Sequence, residues 1–219
     1  METPLKSLVL AHGSGSGPWV FDGWDDDFPG VELRVPDLQE GLDVAAASMA
    51  DFAAAIVRAA DGLSRPLALC GWSLGGLAAM MAAEHVRPDR LVLLEPSAPA
   101  EVQGTDPTVP LGHGLLDPVA TYGAFPAGIA SRPDSSLARA ERKRGISVPS
   151  LPCPTLVVYG DELPEERGAA VAANYGAESL QVRGAGHWDL VLDPEVRRAL
   201  RTWLSVGSEG RRLVEGGTP

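Results

Sequence analysis

Between the apolar run Leu67-Ala68-Leu69-Cys70 and the helix-like run Leu77-Ala78-Ala79-Met80-Met81-Ala82-Ala83 stands Gly71-Trp72-Ser73-Leu74-Gly75. A strand that becomes a helix within five residues leaves no space for bulk, so side chains at the two glycine positions would strike the flanking elements. The turn holds Ser73 in a strained backbone, lifts its hydroxyl above the sheet and leaves the Leu74 N–H free to bond a developing oxyanion. The pentapeptide alone arises often by chance. Its position between strand and helix makes it specific.

The rest of the chain alternates strand-like and helix-like segments, which argues for a parallel sheet covered by helices. Residues 5–11 read as a strand, followed by a glycine-rich loop at 13–17. A second strand spans 31–35, and Asp43 is placed to cap a helix over 44–60, with Met49, Phe52 and Ile56 on one face. Pro88 ends the helix after Ser73, and strands follow at 91–94, 155–159 and 179–182. A helix over 165–175 is stopped by Gly176, and Asp193-Pro194-Glu195 opens a last helix with Val196, Leu200, Trp203 and Leu204 as its buried stripe. Four strands are continuous apolar runs, as expected of strands buried on both faces. Residues 31–35 and 179–183 alternate instead, which assigns them to the sheet edges.

Residues 97–150 lose clear periodicity and are rich in Pro, Gly and Ser, with one helix expected over 135–144. The chain therefore divides into a core (1–96 and 151–206), an irregular insertion (97–150) and a flexible tail (207–219). Its 219 residues fit one domain with a sizeable core. A formal charge of −11 argues against nucleic acid and against an anionic membrane surface as partners. The sequence carries no secretory signal and no apolar stretch of membrane-spanning length. Cys70 and Cys153 make neither a disulfide framework nor a zinc-ligand spacing, which fits a reduced, cytoplasmic setting. No metal or cofactor is expected.

A serine hydroxyl needs a general base, and the base an orienting acid. Both follow Ser73 at strand ends. Asp161 comes after Val157-Val158-Tyr159-Gly160, and His187 closes the loop Gly184-Ala185-Gly186 after the last strand. A second oxyanion donor can come from the loop after Val9-Leu10-Ala11-His12, with the Ser14 N–H as first choice and Gly13 in reserve. Asp161 is the first choice of acid, while Glu162 beside it and Glu95 at the end of the preceding strand stay open. Trp19, Phe21, Trp72 and Trp188 fall in or beside these loops; Trp19, Trp72 and Trp188 suit an apolar pocket for a small acyl substrate.

Together the His12-Gly13 turn, Pro36-Asp37-Leu38, the serine elbow and His187 closely resemble the α/β-hydrolase superfamily, in its small serine esterase-type members. The resemblance implies a mostly parallel α/β sheet, here of six strands because no antiparallel pair precedes the His12-Gly13 strand. It implies Ser73 as nucleophile, His187 as base, Asp161 as acid and Leu74 N–H as oxyanion donor, with residues 97–150 as the lid. It implies cleavage of a carboxylic ester or thioester through an acyl-enzyme. Acyl transfer, C–C hydrolysis, perhydrolysis and a non-catalytic receptor are alternatives on the same fold.

Other residues carry plainer expectations. His12 is expected to bond backbone around the oxyanion loop, Asp189 to make a local loop bond, and His85 and His113 to lie at the surface. Gly13-Ser14-Gly15-Ser16-Gly17 fits neither a dinucleotide fingerprint nor a P-loop. Arg139, Arg142, Lys143 and Arg144 read as a solvated helix face, with contact to an anionic substrate tail as the minority reading. Leu111, Leu115, Tyr122 and Phe125 are the expected inward-facing lid residues.

Overall fold

The computed structural model describes residues 4–163 and 165–205. Its main sheet contains β1 (Ser7–Ala11), β2 (Glu32–Arg34), β3 (Leu67–Trp72), β4 (Arg90–Leu94), β7 (Thr155–Tyr159) and β8 (Glu178–Gln181). All neighbours are parallel, in the order β2-β1-β3-β4-β7-β8. A separate two-residue ladder pairs β5 (Leu115–Leu116) with β6 (Asp134–Ser135). The two alternating strands are the edges, as their sequence required: only one of their faces is covered.

Strand periodicity sorts the core into two layers. Leu67 and Leu69 point to one face of β3, and Ala68, Cys70 and Trp72 to the other. On the first face lie α2 (Met49–Ala60) and α3 (Leu74–Val86), packed through Phe52, Ile56, Leu77 and Met80. On the second lie α1 (Trp24–Asp27), α8 (Asp189–Leu192) and α9 (Pro194–Ser205), which bury Trp24, Leu190, Val196, Leu200 and Leu204. The Trp24 indole N–H donates to Val191 O at 3.1 Å, so its polar edge is satisfied inside the layer.

Helix α2 starts at Met49 rather than at residue 44. Ser48 Oγ accepts from Asp51 N, and Asp51 Oδ2 accepts from Ser48 N at 2.8 Å, a reciprocal capping box that outcompetes the earlier start. Asp43 instead accepts from Ala45 N in a local turn at 3.2 Å. The helix expected over 165–175 divides into a π-helical turn (Glu165–Ala169) and α7 (Ala170–Tyr175), with Gly176 left-handed at its end. Trp203 in α9 is only half-buried.

Residues 97–150 form short elements: α4 (Ala100–Gln103), the β5–β6 ladder, α5 (Pro118–Tyr122) and α6 (Ser136–Arg144). This segment is anchored from below. Ser135 Oγ donates to Ala47 O at 2.5 Å, and Met49 N donates to Glu141 at 2.7 Å. Leu111 and Leu115 do not face inward, being 48% and 61% exposed. Leu111 instead lines a surface cavity with Met49 and Met81, and Leu115 pairs with Ser135 in the short ladder. The tail expected at 207–219 lies outside the described residues. No helix among the described residues is long and apolar enough to cross a membrane.

Candidate active site

Ser73 sits at the junction of β3 and α3 with φ 56° and ψ −120°. A non-glycine residue there is strained, and neighbours must hold it in place. They do: Ser73 N donates to Leu94 O at 3.0 Å, and Ser73 O accepts from Gly76 N at 3.0 Å and Ser97 N at 2.9 Å. A Cβ on Gly71 would run into the Gly75 carbonyl, and one on Gly75 into the carbonyls of Ala11 and His12. Leu74 is the first residue of α3, where N–H groups have no partner within the helix and the dipole favours negative charge.

His187 follows β8, and its ring lies against Trp72, with centroids 5.0 Å apart. The Trp72 indole N–H donates to His187 O at 3.1 Å, so the residue before the serine also fixes the histidine loop. His187 Nδ1 is 2.5 Å from Glu95 Oε2. Glu95 is fully buried at the end of β4, with φ 41°. Its other oxygen accepts from Gly160 N at 3.1 Å.

The carboxylate that meets the imidazole is therefore not the expected Asp161. Asp161 accepts from Gly184 N at 2.7 Å and Gln181 Nε2 at 3.1 Å, clamping the edge strand β8 rather than meeting the imidazole. Glu162 accepts from the His187 backbone N–H at 2.9 Å. The reason is local. Asp161 N is tied to Ala185 O at 2.9 Å, and a Cβ on Gly160 would strike that same carbonyl, so this loop is pressed against the histidine loop. The inner strand β4, next to the serine's strand, supplies the carboxylate.

Burial pushes the His187 imidazole down; Glu95 opposes this, the nearby Arg167 guanidinium adds to it, and the net is a value below 6.5. Burial of Glu95 acts to raise its carboxyl, yet its bond to His187 and its Gly160 N–H hold it below the usual range. At neutral pH the pair is a neutral imidazole on an ionised carboxylate.

Ser73, His187, Trp72, Trp188 and Phe125 line a cavity of about 300 Å³. Trp188 packs between Trp72 and Phe125, with centroids 4.6 and 4.8 Å away. Ser14 lines it too, and its hydroxyl donates to the buried Asp134 carboxylate. Gly13 lies under the Trp72 ring: a Cβ there would sit 2.6 Å from Trp72 Cε3. Trp19 is elsewhere. Its indole N–H donates to Ala130 O at 3.1 Å and Arg132 lies over its ring, which makes it a strut for the inserted segment rather than part of the lining. His12 Nε2 accepts from Leu38 N at 3.1 Å, which leaves Nδ1 as the protonated nitrogen facing Gly13 O at 3.0 Å. Asp189 takes the Gly186 N–H at 2.7 Å. His85 and His113 are exposed.

A sequence profile described as "Alpha/beta hydrolase family" matches residues 8–199. The chain belongs to the α/β-hydrolase family. Its fold is similar to that of polyneuridine aldehyde esterase (15% identity, 91% of this chain and 99% of that one, TM-score 0.69). It is similar also to a malate-bound thermophilic esterase from Thermogutta terrifontis (21%, 92% and 90%, TM-score 0.66). A third similar structure is the RedJ thioesterase of the prodiginine pathway in Streptomyces coelicolor (22%, 93% and 88%, TM-score 0.58). No curated protein sequence matches the chain.

Two cavity arginines of this α/β-hydrolase depart from expectation, Arg167 having carried none and Arg142 having an inward role only as the minority reading. Arg167 Nη2 donates to Ser73 Oγ at 3.1 Å from the π-helical turn. Arg142, assigned to a solvated face, turns inward from α6 to Ser97 Oγ at 3.0 Å and Tyr122 OH at 3.1 Å. The signal available for Arg142 was its place in a basic run of an acidic chain; Arg167 had none.

Proposed function

We propose that this protein is a serine hydrolase of a carboxylic ester or thioester, working through an acyl-enzyme without a cofactor. The observation that carries the reading is the 2.5 Å contact of His187 Nδ1 with buried Glu95, in a cavity lined also by a serine at φ 56°. With Nδ1 engaged, Nε2 is the ring nitrogen left to take the Ser73 proton. Ser73 Oγ attacks the acyl carbon, and the Leu74 and Ser14 N–H groups hold the oxyanion. His187 then returns the proton to the leaving oxygen or sulfur and activates the water that frees the acid. Glu95 keeps the imidazole in the productive tautomer and balances its transient charge. The apolar walls, Trp72, Phe125 and Trp188, favour a small acyl group, with residues 97–150 acting as the lid. The free thiols Cys70 and Cys153 support a cytoplasmic location.

A fluorophosphonate probe tests the nucleophile. Labelling of the wild type that disappears in Ser73→Ala, with p-nitrophenyl ester or acyl-thioester turnover lost in parallel, is the expected result. A folded wild type that neither labels nor turns over any member of that panel would leave a binding protein on a hydrolase fold.

A further inference from the structure

Arg142 and Arg167 are half-buried cations in a protein of net charge −11, yet among the described residues no carboxylate lies within 4.0 Å of either guanidinium. A cation withdrawn from water without a counter-ion is costly, and a buried N–H without an acceptor adds to that cost. Arg142 Nε is such an N–H: it is buried and has no hydrogen-bond partner. Arg167 makes two bonds, to Pro96 O at 2.9 Å and to Ser73 Oγ at 3.1 Å, both to uncharged oxygens.

The two arginines stand where a substrate would meet them. With Tyr122, they line both the catalytic cavity and an adjoining outer cavity of about 660 Å³. The outer one also holds Arg139 and Lys143, against Glu165 and Glu166. In the catalytic cavity, among the described residues, Glu162 is the one carboxylate in the lining. Glu95, behind His187, also acts on Arg167, so the positive excess lies toward the outer cavity, where Arg139, Arg142, Lys143 and Arg167 face Glu165 and Glu166. The partnerless Arg142 Nε and the planar fork of arginine fit an anion with paired oxygens such as a carboxylate. The Tyr122 hydroxyl reports the same field: burial acts to raise it, but the Arg142 charge brings it below its ordinary value.

Building on the ester hydrolase reading, we propose that the substrate carries a carboxylate, bound by Arg142 and Arg167 while its ester or thioester carbonyl sits at Ser73. The chemistry is that of ordinary hydrolysis. The acyl bond to the leaving group breaks, water supplies the new acid oxygen, and His187 passes the proton to the leaving atom. The carboxylate is a handle that stays intact.

Binding and turnover test this separately. Glutarate is titrated into the Ser73→Ala protein, with quenching of Trp72 and Trp188 fluorescence or calorimetry as readout. Saturable binding that weakens roughly 10- to 100-fold in Ser73→Ala/Arg142→Gln, and less in Ser73→Ala/Arg142→Lys, is expected. Thermal unfolding of each variant checks that it is folded. Binding of inorganic phosphate but not glutarate, or of neither, overturns the proposal. For turnover, monobutyl glutarate is compared with butyl pentanoate, and 4-acetoxybutyrate with butyl acetate. The wild type is expected to prefer the carboxylate member of at least one pair by roughly tenfold or more, and Arg142→Gln to lose that preference, mainly through KM. Preference for the neutral member of both pairs overturns the proposal. Glutarate binding with no ester cleaved by the wild type strikes the hydrolase reading alone. Cleavage of neutral esters without glutarate binding strikes this inference alone.

Discussion

Replacing a single carboxylate decides between the two acids at this site. Glu95 Oε2 holds His187 Nδ1 at 2.5 Å, so Glu95→Gln offers an amide that is free to stabilise the wrong tautomer. A fall in kcat of roughly 10³- to 10⁴-fold is expected. Asp161→Asn loosens only the bonds to Gly184 N and Gln181 Nε2; kcat should stay within about threefold of wild type, with a stability loss of about 1 kcal/mol. Steady-state kinetics and thermal unfolding of the two variants check this, and collapse of Asp161→Asn alone would reverse the assignment. The sign of the pH profile follows from the imidazole. Burial, with Arg167 adding to it and Glu95 opposing, keeps His187 neutral to below pH 6.5, so the acid limb of kcat/KM should fall below that value. Arg167→Gln removes a positive charge, eases protonation and should move the limb to higher pH. A limb that stays put or moves down would show that Arg167 does not act on His187. That Ser73 and His187 line one cavity was legible because the elbow pattern and strand-end position mark them. The carboxylate on the imidazole was not, because three carboxylates end or follow neighbouring strands and only packing at Gly160 and Ala185 decides which of them meets His187.

Elements with a strong period were readable, and those held by tertiary contacts were not. The apolar strands of the sheet centre, α3 and the stripe of α9 follow from patterns that burial on one or both faces imposes. Helix α2 lost its first turn because the Ser48–Asp51 box stops it, a local hydrogen-bond choice that hydrophobic spacing does not report. The inserted segment has little period at all: its order comes from single polar anchors. Asp134 on β6 is one. It takes the Ser14 hydroxyl and Gln39 Nε2, the latter at 3.2 Å, and so ties the proposed oxyanion loop to the inserted segment. Asp134→Ala leaves those donors unpaired and the loop less well held. A roughly tenfold loss in kcat is expected, larger than any change in KM, since a misplaced oxyanion donor is felt at the transition state. Kinetics on one activated ester suffices to see it. A change in KM alone would place Asp134 in substrate binding instead.

At the scale of the whole molecule, the same carboxylates that organise the fold make it acid-sensitive. Asp51 is held below the usual carboxylate range by the Ser48 hydroxyl and backbone N–H. Glu101 is pushed up by its partial burial but brought lower overall by Ser147 and Val148 N–H, and buried Glu95 is likewise lowered on balance. A group whose folded value is depressed stabilises the native state above its unfolded value, and that contribution disappears as pH falls through the folded one. Net charge works in the other direction at first. Titrating from pH 7 toward the isoelectric point near 4.8 removes the self-repulsion of eleven excess negative charges. The melting temperature is therefore expected to hold or rise slightly between pH 7 and about 5, then drop steeply below about 4 as paired carboxylates take up protons. Asp51→Asn removes one of these titrations while leaving an acceptor for the cap, so its melting temperature should be lower at pH 7, the gap narrowing as pH falls through the depressed folded value of Asp51. Scanning calorimetry across that range reads both curves. Parallel curves for the two proteins would mean that the capping carboxylate contributes no pH-dependent stability, and that acid unfolding is driven from elsewhere in the chain.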